Sequence, residues 1–384
     1  MTDNDLFLGE SNRMKAPGNE QVGHQDTSLV IRFPGPRNVL STSWLNGGYR
    51  EDLHAVFNHQ IPLAACEACH SGGSVKRYLE GVAESLSLDP GKACGLVTRA
   101  EMKNTAVVTE TFRDLAVTAM VTAGIDKNGG RAGDPASYYE NGDSFEPVGG
   151  TINTILIIGA NLPEYAMARA LMTATEAKTV ALQQLMARSI YSSGIATGSG
   201  TDMIAIIADP ASSLHLSDAG KHAKLGELIG RAVIAATTRA LELETGLTPA
   251  SQRDVLVRLA RFGITEEDIW NRAVQEGLVN RAGPDGRERF MHYLKQWTRE
   301  PRAAAQAAAA LHLVDETGWG LLPQDVARDE IVCILQHGET DLPPAGDRLP
   351  DGIITLLARQ AARGFLSSQD VRHPLPGPEK TGTE

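Results

Sequence analysis

Two segments combine charged and small polar residues at spacings that suit catalysis. In Thr175–Thr179, Glu176 and Lys178 lie two positions apart in a predicted helix. The helical repeat puts Lys178 in the centre of an apolar stripe and Glu176 on the opposite side. Such a lysine either extends along its stem to water or reaches a polar cleft, and such a glutamate is either a solvated surface residue or a general base. The pattern leaves both alternatives open.

The second segment is the loop Thr197–Asp202, in which small residues precede an aspartate. Its backbone N–H groups could hold a phosphate or an oxyanion, although a plain turn has the same composition. It lacks the lysine and the spacing of a Walker loop. His222, at the start of the next predicted helix, is more typical of a core or capping residue than of a ligand or base. Spacing alone therefore does not identify a reaction.

A third segment, Cys66–His70, matches the C-x-x-C-H pattern of covalent haem attachment. That attachment takes place in exported proteins, and residues 1–25 are too polar and acidic for a secretory signal. A zinc site needs four ligands, and a second C-x-x-C is missing. We interpret Cys66 and Cys69 as ordinary cysteines and predict no metal site.

A sheet and long helices must position these residues. Strands are predicted over Asp114–Gly124, Thr151–Gly159 and Met203–Ala208, and helices from Pro163 to about Ser189 and from about Ala219 to Leu243. There is no clean βαβ alternation. The predicted fold class is therefore α/β, a mixed α+β sheet packed by long helices, with an all-α C-terminal region.

The remaining pattern gives boundaries along the chain. Leu29–Phe33 and Val39–Ser41 are predicted as two strands separated by a Pro-Gly-Pro turn, and Gly129–Gly150 as a long loop. We predict a flexible leader over 1–27, an α/β domain over 28–248, a helical region over 249–371 and a disordered tail over 372–384.

Composition restricts the partners. The 384 residues carry 36 Lys+Arg and 47 Asp+Glu, and the net charge of −11 argues against a strong nucleic-acid binder or an anionic-membrane protein. Apolar runs are far shorter than the roughly 20 residues that span a bilayer. Four cysteines in so long a chain do not make a disulfide scaffold. We expect a cytoplasmic protein with a small-molecule partner and without nucleic-acid or membrane partners; homo-oligomerisation stays open.

Four blocks of sequence occur in an order that matches a known family. They are Val39–Thr42 with Leu45–Gly48, Asn58-His59 and Pro62; Gly150–Asn153; Thr175–Thr179; and Thr197–Asp202. Together they resemble the adenosylcobinamide amidohydrolases, the CbiZ family, over about residues 30–245. The helical region that follows lies outside this resemblance.

The resemblance implies a hydrolase acting on a carboxamide C–N bond. Members of the family cleave the aminopropanol side-arm of adenosylcobinamide and release adenosylcobyric acid for cobalamin salvage or remodelling, and some accept complete cobamides. The corrinoid is then substrate, and no cofactor is implied. Two alternatives are a catalytically inactive corrinoid-binding or corrinoid-sensing protein and a metal-dependent amidase that uses Cys66, Cys69 and a histidine.

The resemblance also implies roles for individual residues. Glu176 is the first candidate for a general base acting on water, and Asp202 is the second. Lys178 would stabilise the oxyanion or bind a side-chain amide. In a covalent alternative, Thr201 or Ser199 attacks the carbonyl and Lys178 or His222 is the base. The residues implied to bind substrate are Asn46, Gly47, Gly48, Asn153, Thr197, Gly198, Ser199, Gly200 and His222. Among these, the two asparagines would donate to the reacting oxygen or to corrin amides.

Overall fold

The computed structural model describes residues 14–15, 17–70, 74–136, 151–279, 285–336 and 349–370. The chain divides into two compact units, Met1–Pro249 and Ala250–Glu384. The first is a mixed α/β structure and the second is helical, so the predicted fold class is confirmed. The predicted disordered tail over 372–384 and residues 137–150 of the predicted loop lie outside the described residues.

The first unit contains strands with a few helices between them. In chain order they are β1 (Met14–Lys15), β2 (Gln21–Gln25), β3 (Ser28–Ser41), β4 (Gly48–Gln60), α1 (Leu63–His70), α2 (Val75–Ser85), β5 (Ala93–Thr98), a 3₁₀ turn (Met102–Asn104), β6 (Ala106–Phe112), β7 (Leu115–Gly124), β8 (Gly129–Gly130), β9 (Thr151–Ile158), α3 (Glu164–Gln184), β10 (Gly198–Ser199), β11 (Met203–Ala208) and α4 (Lys224–Thr245).

Strand β3 belongs to both halves of the main sheet. The strand order of the sheet is β1-β2-β3-β11-β9-β7-β6, and both β2 and β11 pair with one edge of β3. Strand β4 pairs with the other edge of β3, and β5 pairs with β4. The first part of β3 pairs with β2 and the last part with β11. The pairing of β3 with β4 shifts register around Arg37, where a bulge bends the strand. As a result the β4–β5 side faces the β11–β9–β7 side, and one apolar cluster lies between them.

Helices cover the outer faces of this folded sheet. Helices α3 and α4 pack on β7, β9 and β11 through a cluster of small and aliphatic side chains. Helix α2 packs on β4 and β5 through Leu79, Val82 and Ala83. Strands β9 and β11 are parallel and buried on both faces, which explains their continuous β-branched runs. The predicted strands over these segments and over β7 are confirmed.

The structure corrects two predictions near the N-terminus. The proposed turn at Pro34–Pro36 lies inside β3, because proline is tolerated where a bulge interrupts the ladder. Residues 21–25 form strand β2, so the flexible-leader prediction is wrong there. The segment is fixed by a buried ion pair, in which Arg37 Nε donates to Glu20 Oε1 at 3.0 Å.

Both long helices are shorter than predicted. Helix α3 ends at Gln184, since Met186 adopts a φ of 50°, outside the helical region. Helix α4 begins only at Lys224. The preceding turn packs directly on its first turn, with the carbonyl oxygen of Gly220 only 2.0 Å from where a Cβ on Gly226 would lie. His222 therefore precedes the helix.

The second unit is a set of packed helices. Its helices are α5 (Val255–Leu259), α6 (Glu266–Gln275), α7 (Gly286–Trp297), α8 (Pro301–Gly318), α9 (Gln324–Gln336) and α10 (Leu349–Asp370). Phe290 and Phe365 meet edge to face at the centre of its core. The predicted capping box at the start of α6 is confirmed, with Thr265 and Asp268 exchanging hydrogen bonds. Among the helices that the structure describes, none is both long and apolar enough to cross a membrane.

Candidate active site

Asp202 lies immediately before β11, and hydrogen bonds hold both of its carboxylate oxygens. Oδ1 accepts from the Ile152 N–H at 2.9 Å and from the Ser199 hydroxyl at 2.6 Å. Oδ2 accepts from the Ser199 N–H at 3.0 Å and from the Lys178 ammonium. The parallel register of β9 and β11 pairs Asn153 with Met203, which brings Ile152 next to Asp202. The carboxylate is thus fixed by two strands, a loop and a helix.

Lys178 reaches this carboxylate from α3. Ala174, Ala177 and Ala181 are buried on the same helix, and these small side chains let α3 approach the sheet closely. The side chains of Lys178 and Asp202 are only 14% and 15% exposed. Of the two alternatives for Lys178, the polar-cleft geometry is the one observed. A pair this buried depends on both partners, because removing one leaves a charge without compensation.

The close approach of Lys178 and Asp202 requires a glycine at position 198. A Cβ on Gly198 would lie 2.4 Å from Asp202 Oδ2 and 2.8 Å from Lys178 Nζ. Both distances are too short for real contacts. Gly200, two residues later, has open space around its Cβ position and is exposed. Position 198 therefore has no room for a side chain, whereas position 200 does.

Hydroxyl groups surround the carboxylate on the loop side. The Thr201 and Thr151 hydroxyls hydrogen-bond at 2.7 Å, and Asn128 donates to Thr201 Oγ1 at 3.5 Å. Thr197 is held by its side chain, which accepts from the Ala132 N–H at 2.9 Å. Thr151, Thr201 and Ser199 thus place three hydroxyls around the end of β9 and β11.

Side-chain amides connect the two halves of the sheet beside this cluster. Asn153 Nδ2 donates to Asn58 Oδ1 at 2.8 Å and to the Val97 carbonyl at 2.9 Å. Asn58 Nδ2 donates to Thr122 Oγ1 at 2.9 Å. Asn58, Thr122 and Asn153 are each at most 2% exposed. This amide chain joins β4 and β5 to β7 and β9 at one end of the interlayer core.

The structure does not bring Glu176 to the cluster. Glu176 and its partner Lys221 form an ion pair at 2.5 Å, with side chains 49% and 64% exposed. Glu176 therefore takes the solvated-surface alternative, as the helical repeat allows. His222 adjoins Lys221 and is exposed in the turn before α4. Among the described residues, Glu176 and His222 make no hydrogen bond to Lys178 or Asp202, so the assignment of Glu176 as first base finds no geometric support.

The Asn46-Gly47-Gly48 segment forms a tight turn. Asn46 has a φ of 54°, its Nδ2 donates to the carbonyls of Pro90 and Ala93 at 2.7 Å, and its Oδ1 accepts from Arg50. A Cβ on Gly47 would lie 2.0 Å from the Ser43 carbonyl oxygen, and Gly48 has a φ of 79°. These contacts explain the turn sequence by backbone geometry. Substrate binding by this turn stays a prediction.

Cys66 and Cys69 lie on α1 as thiols outside any disulfide among the described residues. Burial raises the pKa of both thiols. Nearby, His59 bonds to Ser28 Oγ and to the Tyr78 hydroxyl, and burial lowers the pKa of His59 to about 4. Within the described residues, no three His, Cys, Asp or Glu side chains form a group suited to a metal ion.

A shallow depression of about 490 Å³ lies beyond the opposite end of β9. It is lined by Asn161, Pro163, His215, Leu216 and Ser217. None of the residues selected from the sequence lines it. The hydroxyl, carboxylate and ammonium groups converge instead around Asp202, which makes that end of the sheet the candidate active site.

Sequence comparisons place this site within a matched region. The profile described as adenosylcobinamide amidohydrolase matches residues 13–249. This match covers more than half of the chain, and the chain belongs to the adenosylcobinamide amidohydrolase (CbiZ) family. The family resemblance expected from the four sequence blocks is confirmed, and the region that matches contains every candidate site residue.

The chain is similar in sequence to two relatives and has a weak structural match to one solved structure. An uncharacterized protein of Methanocaldococcus jannaschii is 37% identical over 226 residues, 56% of this chain and 85% of the relative. An adenosylcobinamide amidohydrolase of Methanosarcina mazei is 27% identical over 227 residues, 57% of this chain and 96% of the relative. The crystal structure of the PH0078 protein from Pyrococcus horikoshii superposes with a TM-score of 0.29 at 13% identity, over 62% of this chain and 82% of that one.

Sequence reasoning missed the polar neighbours in the sheet. Asn58 stands out only as part of a sequence block, and Thr122 only as part of the predicted strand Asp114–Gly124. The available signal was an asparagine directly after the apolar run Ala55–Phe57, because a fully buried strand rarely contains an amide without a partner.

Proposed function

We propose that this chain hydrolyses the aminopropanol side-arm amide of adenosylcobinamide, or of a complete cobamide, to adenosylcobyric acid. The observation that carries the proposal is the largely buried Lys178–Asp202–Ser199 cluster within the family-matched region. Amide hydrolysis needs a polarised carbonyl, an activated nucleophile and a proton for the leaving amine. The cluster holds groups suited to each task. The corrinoid enters as substrate, and the setting we propose is cytoplasmic cobalamin salvage.

Lys178 is the group suited to the oxyanion. An ammonium has three N–H donors, and Asp202 engages one of them. A donor that is already oriented by a fixed carboxylate needs little reorganisation when negative charge develops on the amide oxygen. In the absence of Glu176 from the cluster, Asp202 takes the role of base. Asp202 acts on water directly or through the Ser199 hydroxyl, from which it accepts a hydrogen bond.

In the water route, the water oxygen bonds to the acyl carbon and its proton passes to Asp202. The C–N bond then breaks, and the nitrogen takes that proton and leaves as an amine. The second proton of the water passes from the new carboxylic acid to the amine, so the products are a carboxylate and an ammonium. In the covalent alternative, the hydroxyl oxygen of Ser199 or Thr201 bonds to the acyl carbon, the C–N bond breaks, and the amine leaves with the hydroxyl proton. Water then hydrolyses the resulting ester in a second step and restores the hydroxyl. Hydroxylamine separates the two routes, because it intercepts an acyl-enzyme as a hydroxamate and leaves a direct water attack unchanged.

The test is incubation of the purified full chain with adenosylcobinamide, followed by mass spectrometry of the corrinoid. We expect adenosylcobyric acid from the wild type and at least a hundredfold slower formation from Lys178→Met and Asp202→Asn. Glu176→Gln is the matched carboxylate control, since it neutralises an exposed residue of the same helix. An unchanged corrinoid that co-elutes with the protein would favour the non-catalytic binding alternative. If the protein neither turned over nor bound the corrinoid, a corrinoid function would be refuted.

A further inference from the structure

Trp44 is the one tryptophan in the sequence of the first unit, and it lies on the surface. The residue is 51% exposed, whereas Ser43 and Leu45 on either side of it are 8% and 1% exposed. Among the described residues, the indole ring has no aromatic or cationic partner and its N–H has no acceptor. Single exposed apolar residues are common on protein surfaces. It is therefore the position of Trp44, beside the candidate active site, that points to a ligand.

Hydrogen bonds on both sides of Trp44 hold its backbone in place. The Ser43 hydroxyl donates to the Gly95 carbonyl at 2.6 Å and accepts from the Leu45 N–H at 2.9 Å. Leu45 also forms an antiparallel bridge with Gly95 of β5. The end of β3 is thus tied to β5, and the turn presents the Trp44 ring outward. A group that is already held in position loses little conformational entropy when a ligand binds to it.

The strand register puts Trp44 at the same end of the sheet as Asp202. Strands β3 and β11 are antiparallel. At the end of the ladder, the Thr42 N–H donates to the Ile204 carbonyl and the Ile204 N–H donates to Thr42 Oγ1, both at 3.0 Å. Trp44 lies two residues beyond Thr42, and Asp202 lies two residues before Ile204, so both lie past this pair. Two extended residues span about 7 Å and paired backbones lie about 5 Å apart, which keeps the two Cα atoms within roughly 20 Å of each other.

The two residues also share one face of the sheet. Leu40 and Ile204 both pack in the cluster beneath α3 and α4. Side chains alternate along a strand, so Thr42 and Asp202 point to the same, helix-covered face. Thr42 and Trp44 are exposed, whereas the residues on either side of Trp44 are buried, which shows that the alternation continues as far as Trp44. The outer face at this strand end therefore carries the carboxylate and the exposed ring together.

The proposed substrate contains a group that suits such a ring. Adenosylcobinamide has one aromatic base, the adenine of its adenosyl ligand, whereas the corrin ring carries methyl groups and amide arms on both faces. About a dozen bonds separate the adenine from the scissile amide, a distance on the order of 10 Å through space. This distance fits within the span from Trp44 to Asp202. Bases stack on tryptophan by their π faces, in parallel and offset geometry.

We infer that Trp44 stacks on the adenine of the substrate and makes the site selective for corrinoids that carry an adenosyl ligand. This inference rests on the proposed function. The adenine takes no part in amide hydrolysis, so its contact with Trp44 is the same in the ground state and the transition state. Such uniform binding lowers KM and leaves kcat unchanged. Trp44 is thus a specificity-determining residue that acts on binding alone.

The experiment compares two corrinoids on four forms of the full chain. Adenosylcobinamide is the substrate, and dicyanocobinamide, which lacks the adenosyl ligand, is the competing inhibitor. The proteins are wild type, Trp44→Phe, Trp44→Leu and Tyr165→Leu. Tyr165 is the matched control, because it is 61% exposed on the first unit but lies in the first turn of α3, thirteen residues before Lys178. The readouts are kcat and KM for adenosylcobinamide, the inhibition constant of dicyanocobinamide, and the thermal unfolding midpoint of each protein.

We expect Trp44→Leu to raise KM for adenosylcobinamide about tenfold or more, the effect typical of one lost base–aromatic stack. Its kcat, its unfolding midpoint and the inhibition constant of dicyanocobinamide should stay close to the wild-type values. Trp44→Phe keeps a ring and should raise KM by no more than about threefold. Tyr165→Leu should change none of these quantities.

Two results would overturn the inference. An unchanged KM in Trp44→Leu would show that the ring does not contact the substrate. An equal rise in KM and in the inhibition constant of dicyanocobinamide would show that the ring contacts the corrin or its side arms instead of the adenine. Failure of the wild type to cleave adenosylcobinamide is a separate outcome, which would refute the proposed function and with it the basis of this inference.

Discussion

Substitution of Gly198 by alanine tests whether the Lys178–Asp202 contact holds the site together. The new Cβ would lie 2.4 Å from Asp202 Oδ2, so that oxygen must retreat by at least about 0.6 Å to reach an allowed distance. Asp202 has a short side chain fixed by Ile152 and Ser199, and any retreat breaks at least one hydrogen bond to a charged group. Such a bond contributes about 1.5–3 kcal/mol, and overpacking adds about 1–3 kcal/mol. We expect the first unit to lose about 2.5–6 kcal/mol of stability.

The measurement is urea unfolding with hydrogen exchange of β9 and β11, which reports the first unit separately from the helices after residue 249. Gly200→Ala is the matched control, because its Cβ meets nothing within 4 Å and its φ is not positive. We expect it to change stability by no more than about 0.5 kcal/mol. A displacement near 1 Å also costs roughly a hundredfold in rate, so turnover should fall with stability in Gly198→Ala. Equal unfolding free energies for the two variants would refute the reasoning.

Three further predictions address other parts of the chain. Glu176→Gln should leave turnover within about twofold, because exposed ion pairs contribute little; a loss of a hundredfold would restore Glu176 as the base. Because burial lowers the pKa of His59 from 6.5 to about 4, the unfolded chain binds this proton first as the pH falls, and stability is lost from about pH 6.5 to pH 4. After discounting for solvent near the ring, that loss is about 2 kcal/mol. Urea unfolding at a series of pH values should show that the free energy of unfolding changes less with pH in His59→Gln than in the wild type. The same pH dependence in both proteins would contradict this prediction. Thr265→Ala removes the cap of α6 and should cost about 1 kcal/mol, measured by hydrogen exchange in the second unit; unchanged exchange would show that the capping box is dispensable.

The periodicity of apolar residues predicted most of the helices and strands and part of the candidate site. The helical repeat separated Lys178 from Glu176 correctly, and the β-branched runs located β9 and β11. The helical repeat alone does not determine which face of α3 packs next to Asp202 at the end of the sheet. That outcome depends on a partner 24 residues away, in a loop whose position follows from the parallel pairing of β9 with β11.

Contacts between distant segments were beyond local reasoning. Asn153 and Asn58 are 95 residues apart, and their hydrogen bond exists only because β3 bends and folds one half of the sheet over the other. The sequence shows two prolines at that place, and prolines near a strand usually mark a turn. Here the bulge accommodates them, so the pattern that predicted a break in fact marks the bend.

Because β3 pairs with strands of both halves of the sheet, its pairing cannot be completed until late in synthesis. The Ser41 hydroxyl donates to the Ile204 carbonyl, 163 residues later, and residues 38–41 pair with β11. During synthesis this edge of β3 stays unpaired until residue 208 leaves the ribosome. An open strand edge is a template for pairing with other chains. The nascent chain is therefore exposed to aggregation for most of the translation of the first unit, and the candidate active site forms only at its end.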